Sequence, residues 1–341
     1  MKKFLKKYRL WFFIFTLPYI YLLFILVIPT NYEAIVPYGL NNVADNIYLE
    51  GKEDFNDQSF YTISVTSLNY VTPFQKLLID SLNIGETSKK SSSYQHLKTS
   101  DTTLMGQIEK QSSYQTSIIS AFRQAQIHDS NLQLTYQFVG AKIHYIPKNL
   151  YQSQILKVGD LVTSIQVEGL TYQASHTTTL EEVGEFLNAF HHLQFQIVVN
   201  NQNIAIDLNN EQYYLNIYPF FEITTNPQVL TPGLNSSTGG PSGGLLQGLY
   251  LYSNLLNRNY HHLKISGTGT LEYHSQVGRI GGIKEKFASA IAQKVDIFFL
   301  PEGNFSEIAD LISKNPQIKV YPVLSLEQAI AALNSELIDH A

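Results

Sequence analysis

An uncharged run from Leu10 to Pro29 constrains this 341-residue chain more than any other feature. At about 1.5 Å per residue, some 20 residues of helix cross a hydrocarbon core of roughly 30 Å. Lys2, Lys3, Lys6, Lys7 and Arg9 precede the run without an acidic residue among them, and the next charges after it are Glu33 and Asp45. The excess of positive charge places the N-terminus on the cytoplasmic side and all that follows residue 30 on the other. A cleaved signal peptide is the rival reading. Its apolar region is usually about 7 to 15 residues and ends at a small-residue site, whereas this run is longer and ends in Val27-Ile28-Pro29-Thr30. The expectation is an uncleaved anchor over residues 1–30.

Composition narrows the chemistry of the remainder. The formal net charge of -5, with lysine and arginine scattered along the chain, offers no basic stripe for nucleic acid. Cysteine is absent, so thiol nucleophiles, disulfides and thiolate metal sites are excluded. The pairs His191-His192 and His261-His262 are adjacent rather than i, i+4, and no H-E-x-x-H occurs, so neither a metal site nor any cofactor is expected. Glu181-Glu182 and Glu285 read as solvated helix charges.

Beyond the anchor the pattern is strand-like at Asp45 to Leu49 and Phe60 to Val65. A Ser-, Thr-, Lys- and Gln-rich stretch follows, read as a loop over 85–100 and a helix from about Leu104. Strand character is expected at 132–136, 141–146 and 156–165, the last combining a Gly-Asp turn with an apolar strand, then a helix at Leu180 to Phe190 and strands at 195–199 and 204–208. This small mixed unit over 131–210 resembles a PDZ domain, with Lys157-Val158-Gly159-Asp160 matching the L-x-x-G-D turn of that family. Such domains add an extended peptide to a strand edge. An unspecialised α/β insert is the alternative.

Two segments carry the chemistry. In Gly239-Gly240-Pro241-Ser242-Gly243-Gly244 a serine sits where a glycine-rich turn enters the apolar run Leu245 to Tyr252. Free N–H groups at a helix start can point at an anion, and small residues admit a substrate backbone, although an ordinary loop or a phosphate turn has the same composition. Downstream stand Gly267-Thr268-Gly269 and then Ile280-Gly281-Gly282-Ile283-Lys284-Glu285-Lys286. Lys284, just after the Gly-Gly turn, is expected to run inward. A lysine tuned by burial to about 7 or 8 can accept a serine proton without a histidine.

G-P-S-x-G followed by G-G-I-K-E-K, here with Lys284 42 positions after Ser242, resembles the Lon-type serine proteases with a Ser/Lys dyad. The resemblance implies Ser242 as nucleophile, Lys284 as general base and Thr268 as hydrogen-bonding support for the lysine, with Gly240, Pro241 and Gly243 around the oxyanion. Gly243 stands where the family commonly has Ala, and Arg279 where Pro is frequent. The expected class is α+β multidomain: an N-terminal transmembrane helix, an extracytoplasmic β element and helical region over 31–130, a PDZ-like domain over 131–210 and a Lon-type proteolytic α/β domain over 211–341. That layout looks like the extracytoplasmic Lon-like proteases of Gram-positive bacteria, which include peptide-pheromone-processing enzymes. No G-x-x-x-x-G-K-[ST] phosphate loop occurs. The implied partners are therefore peptides or unfolded segments cleaved without ATP, the membrane, and further copies in a homo-oligomer, since Lon-type domains often form rings. A catalytically silent, membrane-tethered peptide-binding scaffold is the alternative function.

Overall fold

The computed structural model describes residues 8–51, 58–82, 84–90, 94–174, 179–208, 215–231, 239–260 and 263–339; the pair His261-His262 lies outside them. The chain begins with helix α1 (Arg9–Val27), which carries Pro18 inside it and keeps its large apolar side chains exposed. By length and composition it can cross a membrane. There follow β1 (Tyr32–Asn42), a 3-10 turn over Val43–Asp45, β2 (Tyr48–Leu49), β3 (Phe60–Leu68), α2 (Pro73–Leu82), β4 (Glu86–Lys89) and the long helix α3 (Thr99–Ala125). Next come β5 (Gln133–Tyr145), α4 (Lys148–Ser153), β6 (Leu161–Val167), β7 (Leu170–Gln173), α5 (Leu180–Asn188), β8 (Gln194–Val199), β9 (Gln202–Asp207), β10 (Asn216–Asn226) and β11 (Val229–Leu230). The last third holds α6 (Gly244–Leu255), β12 (Ile265–Gly267), β13 (Thr270–Leu271), β14 (Val277–Gly278), α7 (Ile283–Ala292), β15 (Ile297–Pro301), α8 (Phe305–Ser313), β16 (Lys319–Val323) and α9 (Leu326–Asp339).

Among the described residues two larger sheets organise the chain. The first runs β16-β15-β12-β3-β1-β4, parallel from β16 to β3 and antiparallel from β3 to β4. Its inner strand β15, next to the edge strand β16, is buried along its whole length, as a strand covered on both faces must be. Phe299 faces the α6 and α9 side with Leu246, Leu249 and Leu326, whereas Phe298 and Leu300 face the α7 and α8 side with Phe287 and Ile308. Alternation along one strand thus feeds two cores. The second sheet runs β10-β5-β6-β8-β9, with β7 paired to β6, and closes around Phe138, Ile165, Phe186 and Ile197.

These sheets cross the boundaries expected from sequence. β1, β3 and β4, read as part of a separate unit over 31–130, complete the sheet of the C-terminal third. β10, placed with residues 211–341, pairs along β5 from Asn216–Tyr145 to Asn226–Gln133 and so joins the second sheet. The stretch 85–100 was expected to be a loop. Its residues 86–89 instead form β4, held by pairing to β1 (Tyr32–Lys89 to Ile35–Glu86), and the helix starts at Thr99, where the hydroxyls of Thr102 and Thr103 return to the Thr99 carbonyl. Polar sequence hides both, because an edge strand and a solvated first turn carry no apolar periodicity.

Helix α3 belongs to both cores. Tyr114, Ile118 and Phe122 pack with α6, whereas Met105, Ile108 and Ile119 pack with the second sheet. The Gly159-Asp160 turn forms as read: Gly159 takes φ +92°, Asp160 Oδ2 accepts from the Lys157 N–H at 2.8 Å, and the Gly159 N–H and the Asp160 carbonyl both bond Ile143.

Candidate active site

Gly240 adopts φ +96°, a backbone that a side chain disfavours, and this lets the loop turn into α6 with Ser242 half-buried just before it. Three contacts from α3 hold the loop. The Gly240 N–H reaches the Gly106 carbonyl at 3.4 Å, Ser113 Oγ donates to the Pro241 carbonyl at 3.2 Å, and Ser117 Oγ donates to the Gly244 carbonyl at 2.9 Å. The Ser242 carbonyl is fixed twice more, by the Gly269 N–H at 2.8 Å and by Thr268 Oγ1 at 3.1 Å. The serine is thus set between helices and a buried strand end rather than on a free loop.

The lysine beside it is Lys286. Its Nζ lies 3.1 Å from Ser242 Oγ and 3.3 Å from Thr268 Oγ1. Lys286 is only 4% exposed and Thr268 is fully buried. Burial lowers the Lys286 pKa to about 8, against the opposing pull of the neighbouring Glu285. Glu285 is itself buried rather than a solvated helix charge; burial raises its carboxyl above the usual range, and its Oε2 has no hydrogen-bond partner among the described residues.

The expected position, Lys284, is exposed and makes no such contact. The Gly-Gly turn does not carry its stem inward, because α7 already begins at Ile283. Within a helix, positions two apart point about 200° away from each other, so 284 and 286 cannot both face Ser242. Ile283, Lys286, Phe287 and Ala290 form the buried i, i+3, i+4, i+7 stripe. That stripe was present in the sequence and selects the second lysine of G-G-I-K-E-K over the first.

The structure also sorts the residues expected around the oxyanion. Gly240 spends its N–H on Gly106, and Pro241 has none to offer. The backbone N–H groups of Ser242 and Gly243, at the mouth of α6, make no hydrogen bond with a described residue. A Cβ at Gly243 would lie 3.1 Å from Thr62 Cγ2 and 3.2 Å from Gln247 Nε2, so both side chains crowd this turn. A cleft of about 200 Å³ opens beside Ser242, with polar groups from Asn41, Asn46 and Ser64 on one wall and Lys110 and Tyr114 of α3 on the other. Burial depresses the Lys110 ammonium and raises the Tyr114 hydroxyl to about 12. Among the described residues no group of three or more His, Asp or Glu is placed to hold a metal.

Residues 222–335 match the Lon protease (S16) C-terminal proteolytic domain. The matched segment contains Ser242, Thr268 and Lys286, together with the strands and helices that position them. A Lon protease of Desulforamulus reducens is 31% identical over 103 residues, which is 29% of this chain and 13% of that protein. The chain therefore matches a small part of that relative's length. A Lon proteolytic domain implies serine-protease chemistry, and the residues at its centre here are the Ser242 hydroxyl, the buried Lys286 amine and the Thr268 hydroxyl, which accepts from that amine and donates to the Ser242 carbonyl.

Thr268→Val keeps the shape but removes the oxygen that both Lys286 and the Ser242 carbonyl use. A hydrogen bond to a charged group contributes about 1.5–3 kcal/mol, so kcat/KM should fall by roughly 10- to 100-fold. Without that acceptor the ammonium form is less favoured, and the pH midpoint of the reaction should move below the wild-type value. A pH–rate profile of the variant measures both effects.

Proposed function

We propose that this chain is an ATP-independent serine endopeptidase of peptides and unfolded segments, anchored by α1 with its catalytic unit outside the cytoplasm. The observation that carries the reading is the 3.1 Å approach of the buried Lys286 Nζ to Ser242 Oγ. Neutral Lys286 takes the proton of Ser242 as its oxygen attacks the peptide carbonyl. The oxyanion forms against the N–H groups of Ser242 and Gly243 at the start of α6. The protonated lysine returns that proton to the departing amine, leaving an acyl-enzyme, and then draws a proton from the water that hydrolyses it. Thr268 keeps the amine aimed at the serine through both halves.

Lysine in water titrates near 10.4, where less than about a thousandth would be neutral at pH 7. The lowered value of about 8 in the folded chain raises that fraction to roughly a tenth. Log kcat/KM should therefore rise with unit slope up to about pH 8 and flatten above it. A profile already flat at pH 6 argues against lysine as the base.

The chain has no G-x-x-x-x-G-K-[ST] loop for nucleotide phosphates, which favours substrates that need no unfolding. The second sheet, read as PDZ-like, would capture extended peptides on a strand edge and present them near the cleft. The arrangement of an apolar N-terminal helix preceded by basic residues supports the membrane anchorage and its orientation.

The test incubates the full chain, in detergent and without nucleotide, with an unbiased peptide library read by mass spectrometry, alongside a serine-directed covalent probe. Cleavage and labelling at Ser242 are expected. A folded protein that neither cleaves nor labels is instead a peptide-binding scaffold.

A further inference from the structure

Helix α2 presents an apolar face to solvent although nothing in the described chain covers it. Phe74, Leu77, Leu78 and Leu82 follow the i, i+3, i+4, i+8 pattern of one helix face and are 38%, 61%, 38% and 62% exposed. Ile84, just beyond the helix, adds a further exposed side chain. Ile79 alone among the helix residues is buried, against the sheet, and the ion pair Lys76–Asp80 occupies another side. A 10-residue helix with this much exposed leucine and phenylalanine is a docking surface rather than a solvated one.

Its position fixes the occupant. Helix α1 ends at Val27, and Thr30 bonds the Val71 carbonyl through its N–H at 2.9 Å and through Oγ1 at 2.6 Å. Three residues span at most about 10 Å and the hydrogen bond adds about 3 Å, so the Val71 carbonyl lies within about 13 Å of the end of α1. α2 begins two residues after Val71, and α1 and α2 are in contact. If the 19 residues of α1 fill the hydrocarbon core, then Thr30, Val71 and the start of α2 stand within or at the outer edge of the headgroup layer, which is roughly 5–8 Å deep. The flanking residues have interfacial chemistry: Lys90 lies over the Tyr70 ring at 3.8 Å and Lys76 over the Tyr32 ring at 4.6 Å, pairing tyrosine bodies with lysine heads at the depth where both are favoured.

We infer that α2 lies in the bilayer surface, its Phe74, Leu77, Leu78 and Leu82 face inserted at the boundary between headgroups and acyl chains, as a second attachment beside α1. The inference rests on the reading of α1 as a membrane span. It sets the orientation of the catalytic unit, because Ile79 of α2 packs with Ala34 of β1 and Leu68 of β3, and Thr62 and Ser64 of β3 line the cleft beside Ser242. A tethered unit would swing on three residues; one held at two points keeps its cleft at a defined height above the lipid.

The chain has no native cysteine, so single labels can be placed on the full protein. Leu77→Cys and Leu82→Cys carry an environment-sensitive fluorophore, with Leu23→Cys in α1 and the exposed Lys314→Cys after α8 as references. Each is reconstituted into phosphatidylcholine and phosphatidylglycerol vesicles with and without doxyl-labelled lipid. Labels at 77 and 82 should be quenched about twofold or more, like that at 23, while 314 is untouched. Quenching at 23 without quenching at 77 and 82 overturns the inference while leaving the anchor in place. No quenching at 23 removes the anchor itself and the inference with it. Lipid-independent shielding of 77 and 82 that grows with protein concentration makes the face a contact between copies, which also overturns it.

Discussion

Lys286→Met should leave a folded protein whose kcat/KM is at least about 10³- to 10⁴-fold lower, whereas Lys284→Met should stay within about twofold of wild type. The two lysines are two positions apart in sequence and on opposite sides of α7, so the pair isolates geometry from composition. Ser242→Ala should be as inactive as Lys286→Met, and the double variant no worse than either, because a nucleophile without its base and a base without its nucleophile fail at the same step. Loss of cleavage in Lys284→Met would reverse the assignment. The stability of Lys286→Met provides a second readout. Because the folded amine titrates near 8 and an unfolded one near 10.5, the buried ammonium costs on the order of 3 kcal/mol at pH values below 8. That cost shrinks as pH rises from about 8 and is gone by about 10.5, so the native chain gains stability across this window. Methionine fills the same space without charge. The variant should therefore unfold at a higher temperature than wild type at pH 7, with the difference closing toward pH 10.5.

Gly267→Val should destabilise the chain by about 3 kcal/mol or more and lower its midpoint of thermal unfolding by roughly 6–12 °C. A Cβ at Gly267 would stand 2.4 Å from the Phe299 carbonyl oxygen and 2.9 Å from both Phe299 Cβ and Leu246 Cδ2. The carbonyl is backbone in the buried strand β15 and cannot swing away. It is also the acceptor for the Thr268 N–H at 2.9 Å, so relief of the clash displaces the threonine that bridges Lys286 and Ser242. Activity should fall together with stability. Gly281→Ala, where a Cβ meets nothing within 4 Å, is the matched control and should shift stability by no more than about 0.5 kcal/mol. Thermal unfolding followed by circular dichroism distinguishes the two.

The apolar N-terminal helix and the Gly-Pro-Ser-Gly turn before α6 were legible because each depends on residues close in sequence, whereas Thr268, 18 positions from Lys286 and 26 from Ser242, was marked only by the family resemblance. The choice between Lys284 and Lys286 was also legible, through the Ile283, Phe287 and Ala290 stripe, but the glycines before it drew attention to the nearer lysine. What local pattern does not reveal is partnership at long range. Nothing in Phe60 to Val65 indicates that β3 will run parallel to β12, or that Thr62 and Ser64 will face the cleft, since that pairing is set by helices and strands far along the chain. The same holds for β10, which was not read as a strand at all and is held by its long pairing with β5. α3 was recognisable as a helix from Leu104 onward, but its double allegiance is not encoded in any one face: neighbouring residues Ile118 and Ile119 go to different cores.

The parallel seam between β3 and β12 has a consequence for biosynthesis. Ser266 Oγ bonds the Tyr61 carbonyl across 205 positions of sequence. At a synthesis rate of about 5–20 residues per second, β3 leaves the ribosome on the order of 10–40 s before the strand that completes it. Until then any strip made by β1, β3 and β4 would carry an unsatisfied edge along β3, the kind of edge that invites pairing with another chain. The second sheet, encoded between the two halves, can close in the meantime and bring α3 into position. The β3–β12 seam thus cannot form before β12 has been made, and Ser242 cannot meet its lysine before residue 286 has emerged.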